Sequence, residues 1–275
     1  MNGSDATTPG AADEIDRAAP GRARVFRIRL QAWSRFLIGR RQYGRLAAED
    51  LRRRRKSDIV FVFGSGSSLN ELSSDEWREI ERHDTIGFNW FVRQKFVRCD
   101  FHFVREIGAD DFDPASWQPR LRRYCELLAG NSHFADAIPM VQTGFRAING
   151  NRAIGYGLLP VQRPLFLWRS LVGRDEPSWS LEHGLAHARG TLHECVNFAF
   201  LMGWRTIVIA GVDLYDRRYF WMDAAEPAGR ILPHRTADHV VNLMGEWARR
   251  FEERGSRLFV YNPRSLLART VPTWP

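Results

Sequence analysis

The sequence predicts an α/β protein built on a mostly parallel sheet, and three observations predict it. Short apolar segments recur through residues 57–275: "DIVFVFG", "DTIGFNWF", "DFHFVRE", "AIPMVQTG", "PLFLWRS", "TIVIAGVDLY" and "RLFVYNP". Stretches of helical periodicity lie among them. "TIVIAGVDLY" is apolar without alternation and turns polar at its end, as a strand covered on both faces must be. Repeated β–α–β order of this kind sets strands parallel beneath helices. No internal repeat is seen.

Composition and charge narrow the function classes. Apolar residues make up 44% of 275, enough for one large core with appendages. No run of about 18 apolar residues occurs, so no membrane-spanning helix is expected. The first residues lack a basic stretch followed by an apolar one, so they do not read as a secretory signal. Cys99, Cys125 and Cys195 have no CxxC spacing and read as reduced thiols of a cytosolic protein, with no zinc site. The net charge is +8, but residues 17–56 carry +12, residues 1–16 carry −4 and the remainder is neutral. The globular part is therefore not expected to bind nucleic acid.

The elements follow in order. Residues 1–20 are small and polar, a disordered tail. Residues 21–56 form a basic amphipathic extension in which Phe26, Leu30, Trp33 and Leu37 fall on one helical stripe. Two readings stand beside each other: the stripe packs on the protein's own body, or the helix lies on an anionic membrane surface. After the first strand, Ser73 to His83 reads as a short helix capped by Ser73 or Ser74 with Glu76 in its first turn. "PASWQPRLRRYCELLAG" predicts a helix from Ser116 to Leu128 closed by Gly130. "GTLHECVNFAFLMGW" predicts a buried helix, and "TADHVVNLMGEWARRFEERG" an amphipathic one ending at Gly255. The segment 221–234, marked by proline and glycine, reads as a lid that orders on substrate. "DDFD", Asp110 to Asp113, reads as a solvated turn before Pro114 rather than a metal-binding DxD.

In parallel sheets ligands sit beyond the C-terminal strand ends. The residues at or just after those ends are Gly64-Ser65-Gly66, Asn89, Arg105-Glu106 and Asp213-Leu214-Tyr215. A glycine-serine turn between a strand and a helix lets backbone approach a nucleotide. The spacing is neither GxGxxG nor a P-loop, and tight turns use the same residues for structural reasons alone.

Four pieces appear in order: "GSGSSLNEL", "GFNWF", "GWRTIVIAGVDLYDRRYFW" with "PHRTADH", and "YNPRSLLA". This set, spanning residues 58–268, resembles glycosyltransferase family 42, the bacterial sialyltransferases that use CMP-sialic acid. It also resembles wider relatives of that family, including archaeal hydroxymethylpterin diphosphokinase-like proteins and motility-associated glycosylation factors. The resemblance implies a Rossmann-like, GT-A-type sheet over 57–275 forming a nucleotide-sugar-binding domain. It implies that Gly64, Ser65, Gly66 and Ser68 border the nucleotide and donor sugar, with Asn89 and Thr191 contacting the donor. Arg105 and Asp213 complete the donor-side set. Tyr215 and Tyr219 would hydrogen-bond the departing phosphate, and His234 would take the acceptor's proton.

The sequence departs from the family in four places. Ser65 replaces an Asn in the turn. Arg105 stands where a second donor-binding Asn is usual. "RGTLH" lacks a Ser-Gly, with Arg189 displaced by about one position, and the tyrosine pair is closer in sequence. These departures leave open another CMP-activated acidic sugar, such as Kdo or a different nonulosonate. The expected function is a metal-independent, inverting transfer to a glycan or lipid-linked acceptor, without cofactor, in lipopolysaccharide or capsule synthesis. The expected place is the cytoplasmic face of a bacterial membrane, with a homo-oligomer left open. The alternatives are a diphosphokinase-like or other nucleotide-dependent transferase, and an inactive basic-armed binding protein.

Overall fold

A computed structural model of the chain describes residues 21–105, 107, 111–216, 218–222 and 237–275. Helix α1 (Arg22–Gly39) and the short α2 (Ala48–Arg52) precede strand β1 (Ile59–Phe63) and helix α3 (Ser74–Ile80). Then come β2 (Asp84–Phe88), β3 (Phe101–Val104), α4 (Pro114–Gly130), β4 (Ile138–Gln142), α5 (Ile148–Gly155) and β5 (Phe166–Trp168). A minor two-stranded sheet of β6 (Ser170–Leu171) and β7 (Leu185–Ala186) leads to α6 (Thr191–Met202), β8 (Thr206–Ala210), α7 (Ala237–Glu252) and β9 (Arg257–Val260).

The seven expected strands form one sheet in the order β5-β4-β3-β2-β1-β8-β9, every pair parallel. Alternation within β1 divides the core. Val60 and Val62 face a layer holding α6 and α7, with Phe198, Trp204, Met244 and Trp247; Phe61 and Phe63 face α3 and α4, with Trp77, Tyr124 and Phe134. Both layers are apolar because a parallel sheet is covered on both sides. In α3, Ser73 accepts from the Glu76 amide while the Glu76 carboxylate accepts from Ser73, the reciprocal cap expected from the sequence. Helix α4 begins two residues earlier than expected because the Asp113 carboxylate accepts from the Ala115 amide, with Pro114 at the first position.

Helix α1 packs on the body, but of the expected stripe only Trp33 takes part, half-buried against the core and stacked on Phe36. Ala32, Phe36 and Gly39 are buried against α5, while Phe26, Leu30 and Leu37 are exposed. The crossing is close: a Cβ on Gly39 would stand 2.6 Å from the Ile154 carbonyl, and one on Gly155 2.7 Å from the Arg35 Cβ. The segment after α1 is anchored too. The Tyr43 hydroxyl donates to the Leu159 carbonyl, Leu51 is fully buried, and the amides of Lys56 and Ser57 donate to the Asp84 carboxylate. Asp84 also accepts from the Trp204 indole at 2.9 Å, and burial raises its pKa.

Candidate functional site

Because all seven strands run the same way, their C-terminal ends share one edge. The chain leaves β1 toward β2 on one side and returns on the other as β8. The strand order therefore reverses between β1 and β8, and open sheets of this kind take ligands in the crevice at that switch point. The turn after β1 and the loop after β8 meet there.

They meet by close backbone contact. The Gly64 amide donates to the Ala210 carbonyl at 2.9 Å, and the Gly66 amide to the Gly211 carbonyl at 2.7 Å. A Cβ on Gly64 would lie 2.3 Å from the Gly211 carbonyl oxygen, and one on Gly66 2.3 Å from the Asp213 carboxylate. Gly66 has φ −68°, so space rather than conformation demands glycine there. Asp213, buried after β8, clamps the turn. Its carboxylate accepts from the Ser68 amide at 3.1 Å, the Ser68 hydroxyl at 2.5 Å and Asn262 Nδ2 at 3.4 Å. The Leu266 amide donates to its backbone carbonyl.

The tyrosines border the same turn. Tyr219 bridges Gly66 through backbone, and the next amide, Phe220, donates to the Ser65 carbonyl. The exposed Tyr219 ring stacks on Trp221 at 4.6 Å, and Arg93 covers the Trp221 ring. Tyr215 is half-buried, with Asn262 Nδ2 3.5 Å from its hydroxyl. Burial and then the Asp213 charge raise its pKa, so the hydroxyl stays protonated and able to donate. His234 lies outside the described residues, as do Glu106 and Asp110, and so does the expected lid from residue 223 onward.

A second cluster joins β2, β3 and the start of α6. Asn89, at the end of β2 with φ +50°, donates from Nδ2 to the Thr191 hydroxyl at 3.4 Å. Arg105, just after β3, pairs through Nε with Glu194 at 3.1 Å. Sequence reading placed Arg105 on the donor; here at least one face of its guanidinium is spent on a buried carboxylate. Glu194 is wholly buried in α6, and also accepts from the Ser170 hydroxyl at 2.5 Å and stands 3.3 Å from His187 Nδ1. Burial raises its pKa, with His187, Arg105 and Ser170 acting against that. Neither Glu194 nor His187 was singled out in the sequence. The available signal was a carboxylate inside the otherwise apolar "TLHECVNFAFLM", which demands a buried partner.

Backbone strain marks the same places. Among the described residues, the non-glycine positions with positive φ are Asn89, Ala188 at +31° and Leu214 at +61°. They sit at the end of β2, just before α6 and just after β8. Such conformations persist only where surrounding structure holds them, and they concentrate at functional sites. A cavity of about 540 Å³ is walled by one loop, residues 174–180 with His183, and none of the strand-end turns lines it. No group of three His, Cys, Asp or Glu side chains suited to a metal is found among the described residues.

No protein-family model matches the chain, and no curated protein matches it in sequence. Its seven-stranded parallel sheet flanked by helices is an α/β fold. The structure of the MAf glycosyltransferase from Magnetospirillum magneticum AMB-1 aligns with a TM-score of 0.50 at 15% identity, over 86% of this chain and 36% of that one. The chain thus spans little more than a third of the MAf protein. The monofunctional α-2,3-sialyltransferase Cst-I from Campylobacter jejuni aligns with a TM-score of 0.47 at 14% identity, over 78% of this chain and 80% of that one.

Proposed function

We propose that the protein is a glycosyltransferase that moves an acidic sugar from a CMP donor to a glycan or lipid-linked acceptor at the inner face of a bacterial membrane. The observation that carries this reading is the switch point: the glycine-serine turn and the Asp213–Tyr219 loop meet where a parallel sheet takes nucleotides. The donor's nucleotide lies along Gly64, Ser65 and Gly66, with Ser68 holding the turn through Asp213. Asn89 and Thr191 face the sugar, and Arg105 sets the base of that side through Glu194.

CMP is a good leaving group once its growing charge is held. Tyr215 and Tyr219 can hold it by donating hydrogen bonds, which requires no metal. His234, a base with a pKa near 6.5 in ordinary surroundings, takes the acceptor hydroxyl's proton as that oxygen attacks the anomeric carbon. The carbon–oxygen bond to the phosphate breaks, and the sugar is inverted by direct displacement.

The test is turnover. CMP-sialic acid, CMP-Kdo and related CMP-sugars are offered with a panel of glycan acceptors, without divalent metal, and CMP release and anomeric configuration are followed by NMR. CMP release with an inverted product supports the reading. No CMP release from any donor, with AMP formed from ATP in the presence of magnesium, replaces it with the diphosphokinase-like reading.

A further inference from the structure

We infer that the stripe of α1 left unburied by its packing on α5 docks the protein on an anionic lipid bilayer. The helix is held to the body by Ala32, Phe36 and Gly39, so Phe26, Leu30 and Leu37 contribute little to holding it there. Yet Phe26 is 57% exposed, Leu30 46%, Leu37 38% and Ile38 74%. The Phe26 ring meets the exposed Phe145 ring at 5.5 Å, which extends the patch onto the loop before α5. Exposed apolar residues gathered on one helix, rather than scattered, mark an interaction surface.

The charge around the stripe chooses its partner. Eight arginines and no acid lie between Gly21 and Ala48. At about 100° per residue, Arg22, Arg29 and Arg40 flank one side of the stripe, and Arg27 and Arg41 the other. A helix with an apolar face rimmed by arginine matches the boundary between anionic headgroups and acyl chains. A second copy meeting through the same stripe would set two arginine-rich rims against each other. A nucleic acid would use the arginines but leave Leu30, Leu37 and Ile38 without partners, because base recognition stacks on aromatic rings.

The surface has a defined place relative to the strand ends. Phe26 touches the loop after β4, and Arg24 donates to the Phe112 carbonyl just before α4. The start of α1 therefore lies at the edge of the sheet that carries the switch-point turns. Resting on the transferase reading, docking brings that edge to the bilayer, where a lipid-borne acceptor reaches it.

The experiment is co-sedimentation of the full chain with vesicles, read without donor or turnover, so it stands or falls apart from the transferase reading. Phosphatidylcholine vesicles are compared with vesicles containing about a third phosphatidylglycerol. The wild type is expected to pellet with the anionic vesicles alone. The variants Phe26→Ser/Leu30→Ser/Leu37→Ser and Arg22→Glu/Arg27→Glu/Arg41→Glu are each expected to bind on the order of tenfold more weakly. Circular dichroism is expected to show both folded, since the altered side chains are exposed, and Val172→Ser, an equally exposed apolar residue outside α1, is expected to bind as wild type. Failure of the wild type to bind anionic vesicles overturns the inference. So does undiminished binding by the apolar variant, or a dimer of the wild type that the apolar variant converts to monomer.

Discussion

Asp213 is the residue on which the candidate site turns. Its carboxylate is the shared acceptor for the Ser68 amide, the Ser68 hydroxyl and Asn262. Removing it in Asp213→Ala orphans buried donors at a cost of about 1–3 kcal/mol each, a loss that urea denaturation should record along with loss of nucleotide binding. Tyr215→Phe is the contrasting case. Its hydroxyl has a long contact to Asn262, so the unfolding midpoint should hardly move. On the transferase reading kcat should fall on the order of 10²-fold with KM little changed, since the hydroxyl acts on charge that develops in the transition state. Equal losses in stability would show Tyr215 to be a packing residue.

Two buried histidines set a pH dependence. Burial pushes His102 and His193 down to about 3. The free imidazole titrates near 6.5. Their folded pKa lies below the unfolded one, so between about 6.5 and 3 the unfolded chain binds protons that the folded chain does not. Stability is complete above pH 6.5 and falls by about 1.4 kcal/mol per unit for each histidine below it. Glu194, raised by burial, works in the opposite sense between its raised folded pKa and the ordinary carboxyl range, and softens the decline there. His193 stacks edge-on against Trp247 at 5.1 Å, and neither ring nitrogen has a hydrogen-bond partner among the described residues. His193→Phe should therefore keep or raise the melting temperature at pH 7.5 and flatten its fall toward pH 5 by roughly half. An unchanged slope would show that His193 does not carry it.

At the scale of elements, α1 shows what sequence can and cannot deliver. Its helical period was legible in Phe26, Leu30, Trp33 and Leu37, because apolar spacing alone states a helix. Which face packs was not legible. The packing face is made by Ala32, Phe36 and Gly39: Phe36 is buried in the core, and Gly39 lets the backbone approach Gly155 closely, a role that hydrophobic spacing does not announce. Gly155→Leu should force the two helices apart and lower stability by about 1–3 kcal/mol, read in chemical denaturation, with α1 becoming sensitive to protease. An intact, equally stable protein would contradict the crossing described here. Helix α5 was missed for a related reason: "INGNRAIG" carries two asparagines and two glycines, poor helix formers, and is held by burial of Ile148, Ala153 and Ile154. The strands were legible because a parallel sheet writes itself as continuous apolar runs, and all seven runs became strands of one sheet.

At the scale of the whole molecule, the site is a product of topology. The residues after strand ends could be named from the sequence because that rule is local. What they do to one another could not be. Gly66 and Asp213 are far apart in the chain, and only the adjacency of β1 and β8 reveals that one glycine is required by the other's carboxylate. The Arg105–Glu194 pair was hidden likewise, since β3 and α6 meet only in the fold. The motifs thus fall together at one edge of the sheet, while the partnerships among their residues came from three dimensions.

The measurement that bears most directly on the central claim is a calorimetric titration of the full chain with CMP, CDP, UMP and ATP, with and without magnesium. Tyr215→Phe/Tyr219→Phe and Asp213→Ala are titrated in parallel. A nucleotide site at the β1/β8 switch point predicts selective CMP binding without magnesium, weakened by the tyrosine pair and lost in Asp213→Ala. No binding of any nucleotide, or CMP binding indifferent to all three substitutions, would contradict it.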